Sequence, residues 1–352
     1  MNLRVLIVHP TFHIYGGAEL AIVELIKFLH GRGINVDLLT NNINFKVRRE
    51  LTGLCNLQVA MGYDSFHEIA KYVQSYYRNY DVINMHNHPA ELSLYPYKSN
   101  TTWYVHEPES ALHGKIDNNE VIAVNKSINK IATNSEYNQT WIKELYNMDS
   151  TVIRYGVDHK LFSKSNPNNP NITKYNIPKD NYIVLQSGWF NPFKRQEMSV
   201  EAFTRFHKEV PNSNLVLVGE NNNQYANKIF NMIRSSSARN NIIVTGMVDR
   251  ATARDWYSKA DLLINPASKQ GSFLATYEVM SMGKPIIVSN EVPDIQLIKD
   301  KELCIHTDDF YTSIKDYYNG KLSYNLDKTQ KWVRDNLTWD NYGSKMLSLY
   351  KV

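Results

Sequence analysis

Cysteine is almost absent: two residues in 352, Cys55 and Cys304, far apart in sequence. That excludes a disulfide framework and a thiolate metal site, and it fits a reducing cytoplasm. Long apolar runs are missing as well. The stretches 5–8, 215–218 and 262–264 fall far short of the roughly 18 residues of a membrane-crossing helix. Met1 leads within two residues into a strand-like run, so no leader segment is expected. Charge of one sign is scarce, with 39 Lys and Arg against 35 Asp and Glu for a net +4. A nucleic-acid binder would need a clustered basic stripe, so no nucleic-acid partner is expected. The sequence GxGxxG does not occur, which removes the usual fingerprint of hydride-transfer enzymes. No acidic pair of DxD type stands in a suitable loop, and no metal-ligand set is assigned.

What is present is ordinary globular composition, 43% hydrophobic and 21% charged, over a length that suits two domains. Strand and helix patterns alternate from end to end. Residues 3–9 read as a buried strand. Ile22, Leu25, Ile26 and Leu29 then recur at a helix period, Gly31 and Gly33 end that helix, and 36–40 is the next strand. Further strands are expected at 81–86, 102–106 and 130–133. The stretch 163–171, SKSNPNNPN, has linker chemistry. The alternation restarts after it, with strands at 182–186, 215–218, 242–244, 262–264, 285–288 and 303–306. Helices are expected at 195–206, 252–260 and 274–282, and two more after 328. Such alternation predicts parallel sheets covered by helices on both faces. The expected fold class is thus α/β, two tandem doubly wound Rossmann-like domains facing a cleft. The expected boundaries are 1–162, 172–327, and a pair of C-terminal helices over 328–352 that return to the first domain.

Ligands of doubly wound sheets sit outside the carboxyl ends of the strands, so residues just after strands carry the argument. Gly16 and Gly17 lie between the first strand and the first helix, where a glycine turn and a helix N-terminus suit a phosphate; a tight βα turn is the alternative. His106-Glu107-Pro108 places an imidazole at a strand end. His86 and His88 would share a face on a continued strand, but no third metal ligand stands at a fitting spacing. They therefore read as a satisfied or loop-lining pair. In Gly188-Trp189-Phe190-Asn191-Pro192-Phe193-Lys194-Arg195, two cations stand at the first turn of a helix, where they oppose its dipole; that conflict points to an anionic ligand. In Gln270-Gly271-Ser272-Phe273-Leu274-Ala275-Thr276-Tyr277-Glu278, a helix N-terminus offers N–H donors to a diphosphate. Glu278 lies about one turn inside, suited to ribose hydroxyls, with a dipole-complementing surface acid as the alternative. The cluster Lys46, Arg48 and Arg49 beside Phe45, Val47 and Leu51 reads as a solvated helix face, with membrane-surface contact as the second option.

Taken in order, these pieces resemble a retaining glycosyltransferase of family 4, with the GT-B fold. The resemblance spans nearly the whole chain. It includes the Gly16-Gly17-Ala18-Glu19 loop, Asn134-Ser135-Glu136, Tyr155-Gly156-Val157-Asp158, Thr245-Gly246, Ala260-Asp261 with Pro266, and the ending Asn336-Leu337-Thr338-Trp339-Asp340. It implies transfer of a sugar from a nucleotide-sugar donor to a glycan or lipid-linked acceptor, with retention and without a required metal or other cofactor. The expected location is cytoplasmic, from the scarcity of cysteine, with peripheral membrane contact through the basic cluster as an option. By resemblance, Glu278 holds the ribose, Lys194 pairs with the diphosphate, and Gly16 and Gly17 close over the phosphate. His106 stands near the donor sugar, while Met247 and Val248 meet the base. Gln270, Gly271, Ser272 and Phe273 form the rest of the donor loop, and Trp189 and Arg195 flank Lys194. The chain departs from the family pattern at Gln270 for glutamate, Phe273 for glycine and Trp189 for arginine. Those departures keep a second reading open: a non-catalytic sugar-nucleotide or glycan-binding protein on the same scaffold.

Overall fold

The computed structural model describes residues 3–13, 15–60, 65–107, 116–163, 165–268 and 273–351. It divides into two compact units, Met1–Gly156 with Leu337–Val352, and Val157–Asn336. Among the described residues no helix is long and apolar enough to cross a membrane.

The first unit is built on β1 (Arg4–Val8), β3 (Asn35–Thr40), β5 (Asn56–Val59), β6 (Val82–His86), β7 (Thr101–Val105), β8 (Lys130–Thr133) and β9 (Ser150–Val152). They lie in the order β5-β3-β1-β6-β7-β8-β9, every neighbouring pair parallel. A small parallel pair, β2 (Thr11–Phe12) and β4 (Asn42–Ile43), stands beside it. Val5 to Val8 are fully buried, as expected of a strand covered on both faces, where no polar residue has a side to turn to. The helix Gly17–His30 buries Ile22, Leu25, Ile26 and Leu29 against this sheet side. Gly33, at φ +69°, supplies the left-handed turn that leads into β3.

The second unit repeats the plan with β10 (Tyr182–Ser187), β11 (Ser213–Val218), β12 (Ile242–Gly246), β13 (Leu262–Asn265), β14 (Ile286–Ser289) and β15 (Ile305–Thr307). The order is β12-β11-β10-β13-β14-β15, again parallel throughout. Its core gathers Val184, Phe203, Phe206, Leu215, Leu217, Leu262, Ile264 and Ile287.

Two placements differ from the sequence expectations. The stretch 163–171 folds within the second unit instead of bridging two domains. Asn169 caps the short helix Pro170–Thr173. Its side chain donates to Asp255 Oδ2 at 2.8 Å, and the Asn166 N–H donates to Asp255 Oδ1 at 2.8 Å. Asn and Pro serve caps as well as linkers, so composition alone cannot separate the two. The helix Leu326–Asn336 also belongs to the second unit: Thr329 Oγ1 donates to the Leu303 carbonyl at 2.6 Å and Gln330 Nε2 to that of Ser281 at 3.0 Å. Of the two C-terminal helices, Trp339–Tyr350 is the one that joins the first unit. There the Phe28 ring covers Gly343, where any Cβ would lie 2.2 Å from the ring.

Candidate functional site

In a doubly wound sheet the ligand crevice opens where the strand order reverses. That point lies between β1 and β6 in the first unit and between β10 and β13 in the second.

In the first unit this point is filled by buried polar side chains that bond one another. Asn84 Nδ2 donates to the Thr102 carbonyl at 3.0 Å, which fixes Asn84 Oδ1 as an acceptor. It receives the Tyr350 hydroxyl at 2.6 Å and His86 Nε2 at 2.8 Å. His86 thus carries its proton on Nε2, and its Nδ1 accepts from His106 Nε2 at 3.0 Å. His106 Nδ1 is left to accept the Tyr155 hydroxyl. The backbone carbonyl of His106 is held by Asn134 Nδ2 and Asn138 Nδ2, each at 3.0 Å. Burial holds both imidazoles well below the ordinary histidine pKa; His9 adds to this at His86, and His86 and His9 add to it at His106. Both rings are therefore neutral at pH 7, as the tautomer chain requires. His106 is 3% exposed, and in this arrangement both of its ring nitrogens face protein groups.

The glycine turn before the first helix is closed in a similar way. Gly16 is the N-cap, and the Glu19 side chain reaches back to accept its N–H at 2.9 Å. The other Glu19 oxygen lies 3.3 Å from His9 Nε2. The acid at the third helical position thus complements the positive helix end. Gly17 opens the helix directly after the cap.

In the second unit the segment after β10 forms a tight turn, Pro192–Lys194, capped by Asn191, whose Oδ1 accepts the Phe193 N–H at 2.9 Å. Gln186 Nε2 donates to the Lys194 carbonyl at 2.7 Å, and Ser199 holds Gln186 from behind at 2.6 Å. Gly188 lets the Lys194 stem lie on the backbone, since a Cβ there would stand 3.3 Å from Lys194 Cδ. Gly219, at φ +151°, allows a closer approach still: its Cβ would fall 2.1 Å from the Gly188 carbonyl oxygen. Trp189 is half exposed. Both cations stand just before the helix Gln196–Glu209, beside the positive end of its dipole. Arg195, at φ +50°, is its N-cap, and its guanidinium makes two 2.8 Å bonds to the Glu291 carboxylate.

Glu278 sits on the helix Leu274–Ser281, which follows β13. It is buried, not a surface acid. Arg250 Nη2 donates to its Oε1 at 2.8 Å. Arg250 Nε is buried without an acceptor among the described residues, so this pair keeps a donor in reserve. Burial pushes the Glu278 carboxyl up to about 7, Arg250 opposing and Asp158 adding to the rise. The Arg250 guanidinium also lies 5.4 Å from the Phe162 ring centre. Phe273, at the N-cap of the same helix, is buried edge-on against Tyr277 at 5.3 Å. It is placed as a packing residue. Gln270, Gly271 and Ser272 lie outside the described residues. Met247, well exposed, and Val248, half-buried, follow β12.

The fold thus brings Trp189, Lys194, Arg195, Met247, Val248, Phe273 and Glu278 to the carboxyl end of the second sheet, and Gly16, Gly17 and His106 to that of the first. His86 and His88 do not share a face. His86 ends β6 and bonds inward, whereas His88 Nδ1 lies 2.7 Å from Glu91 Oε1. The sequence reading missed Arg250 as the partner of Glu278; its one signal was its place directly after the helix cap Asp249. It also missed the bonding chain through Asn84, Tyr155 and Tyr350, for which spacing offers no signal.

Comparison with known proteins bears on the fold. Residues 168–320 match the family model described as Glycosyl transferases group 1. A curated relative, alpha-monoglucosyldiacylglycerol synthase of Acholeplasma laidlawii, is 26% identical over 181 residues, covering 50% of this chain and 44% of that protein. This chain therefore spans less than half the length of that relative. Among solved structures, Anabaena HepE in complex with UDP and glucose superposes with a TM-score of 0.79 at 17% identity, over 99% of both chains. A glycosyltransferase from Rickettsia africae superposes with a TM-score of 0.81 at 19% identity, over 99% of this chain and 98% of that one. These likenesses show the fold, two Rossmann-like α/β domains of GT-B type. Within it, residues 168–320 are similar to the glycosyl transferases group 1 family model.

Proposed function

We propose that this protein is a retaining glycosyltransferase that moves a sugar from a nucleotide-sugar donor to a glycan or lipid-linked acceptor, with no metal asked to hold the diphosphate. The observation that carries the reading is Glu278. It is a carboxylate buried at the switch point of the unit similar to the group 1 model, bonded to Arg250, with the Arg250 Nε donor still to satisfy. A buried acid costs stability, and such perturbed groups concentrate at functional sites; accepting ribose hydroxyls is the role proposed for this one. In the reaction the bond from the sugar carbon to the phosphate oxygen breaks, and its electron pair stays on the diphosphate. The acceptor oxygen bonds to that carbon and loses its proton. Lys194, set by the Pro192–Lys194 turn, compensates the charge gained by the leaving group, usually the largest catalytic contribution. Arg195 is held by Glu291 and contributes less. Met247 and Val248 offer a base-binding edge, and Gly16 and Gly17 a phosphate-facing turn. The HepE complex with UDP and glucose supports a uridine nucleotide donor, and the named lipid glucosyl synthase supports a lipid acceptor.

One observation favours the non-catalytic reading instead: both ring nitrogens of His106 are taken up by His86 and Tyr155. The test is a panel of UDP- and GDP-sugars offered with diacylglycerol vesicles or oligosaccharides, product stereochemistry being read by NMR. Transfer with the donor's anomeric configuration kept is the expected result. A protein that binds nucleotide yet neither transfers nor slowly hydrolyses any donor is a binding protein.

A further inference from the structure

A second cluster lies in the first unit and takes no part in the reading above. His88 stands just beyond the carboxyl end of β6, Glu91 three residues on, and Glu120 at the start of the helix Asn118–Ser127. One ligand atom from each lies within 4.8 Å of the other two. His88 Nδ1 is 2.7 Å from Glu91 Oε1 and 3.9 Å from Glu120 Oε1. Ligands about 2.1 Å from one tetrahedral ion are roughly 3.4 Å apart, and those two distances bracket that spacing. Glu91 is fully buried, and its second oxygen, Oε2, has no hydrogen-bond partner among the described residues. A buried carboxylate oxygen left so is costly. Among the described residues the cluster sets two carboxyl groups beside one imidazole. A divalent ion balances both carboxylates with a neutral imidazole. The Tyr146 hydroxyl donates to Glu120 Oε1 at 2.5 Å and orients it from behind, as outer partners of metal ligands do.

We propose that His88, Glu91 and Glu120 bind one divalent transition-metal cation, zinc by the nitrogen-and-oxygen character of the set. The ion would tie the end of β6 to the helix Asn118–Ser127. It is separate from the donor chemistry, which neither needs it nor supplies it.

The experiment uses the untagged full chain, stripped with EDTA and titrated with zinc chloride by calorimetry, the melting temperature being followed in parallel. One zinc per chain and a raised melting temperature are expected. Glu120→Gln, at the rim of the cluster, and His88→Gln should each weaken that zinc by at least about tenfold. Circular dichroism of the metal-free variants shows that the fold is kept. Wild-type chain that takes up no stoichiometric zinc overturns the proposal. So does zinc that binds both variants as well as wild type, since the ion would then sit on other histidines.

Discussion

The two sheets share one strand order and treat their switch points in opposite ways. The first is sealed by neutral groups, Tyr350, Asn84, His86, His106 and Tyr155, each satisfying the next. The second keeps a carboxylate buried against Arg250, with its pKa raised by burial and a donor to spare. A sealed network fixes geometry and resists change, because every member is already bonded. A strained charged pair holds free energy in reserve for a ligand. The same fold therefore carries a fully bonded neutral network in the first unit and a buried charged pair in the second.

The contrast can be broken at several points. Gly219→Ala should act most strongly, since its Cβ meets backbone at 2.1 Å in a conformation hostile to side chains. A loss of about 4 kcal/mol is expected in chemical denaturation of the second unit. Gly33→Ala, also at positive φ but with nothing near it, should cost only about 1 kcal/mol. Equal losses would mean that the Gly188–Gly219 approach is not tight. Next, Lys194→Ala should lower kcat by roughly 10²–10³, near 3 kcal/mol, while Arg195→Ala, whose charge is spent on Glu291, should lower it less than about tenfold. Steady-state kinetics of both variants decide this, and an inverted ranking would move the diphosphate to Arg195.

The third point is pH. The folded pKa of Glu278 is raised to about 7, above the roughly 4.3 of an unfolded glutamate. Between those values the native state holds a proton that the unfolded state has lost. Stability from this group is therefore full at low pH, falls as pH rises through that window, and levels off above about 7. Over the whole window the fall approaches about 3–4 kcal/mol. Glu278→Gln should lack that slope, measured as the difference between the denaturation midpoints of the two proteins from pH 5 to 8. In the same window nucleotide binding by wild type should strengthen with pH, because the ribose needs the carboxylate form. The smallest effects belong to the sealed side. Tyr155→Phe leaves His106 Nδ1 unpaired and should cost about 1–2 kcal/mol. Tyr350→Phe, which leaves Asn84 its bond from His86, should cost below about 1 kcal/mol in the same assay. A larger loss for Tyr350 would mean that the chain is anchored from its far end.

The alternation of strands and helices was legible because strands covered on both faces must be nearly all apolar, as in β1, β10 and β11. The edge strands β5 and β9 were not, since half-exposed edges carry mixed residues such as Asn56, Gln58 and Ser150. Gly16, Gly188 and Lys194 stood out in the sequence as glycines and a cation between a strand and a helix, whereas the role expected of Glu278 came from family resemblance. Their partners did not stand out. Arg250 meets Glu278 across 28 residues and Asn84 meets Tyr350 across 266, and no local pattern encodes such pairings. Glu120, 32 residues from His88, was passed over for the same reason, whereas Glu91 stands only three residues from it.

The first unit is interrupted: its sheet ends at residue 152, yet its last helix, Trp339–Tyr350, arrives after the whole second unit. Until that helix docks, Phe28 has no Gly343 beneath it and Asn84 lacks the Tyr350 hydroxyl. A chain leaving the ribosome amino end first, at about 5–20 residues per second, therefore completes its second unit before its first. For the time needed to make some 180 residues, about 10–40 seconds at that rate, the earlier half waits with an uncovered apolar face. It is during synthesis, more than in the finished molecule, that this half depends on protection from aggregation.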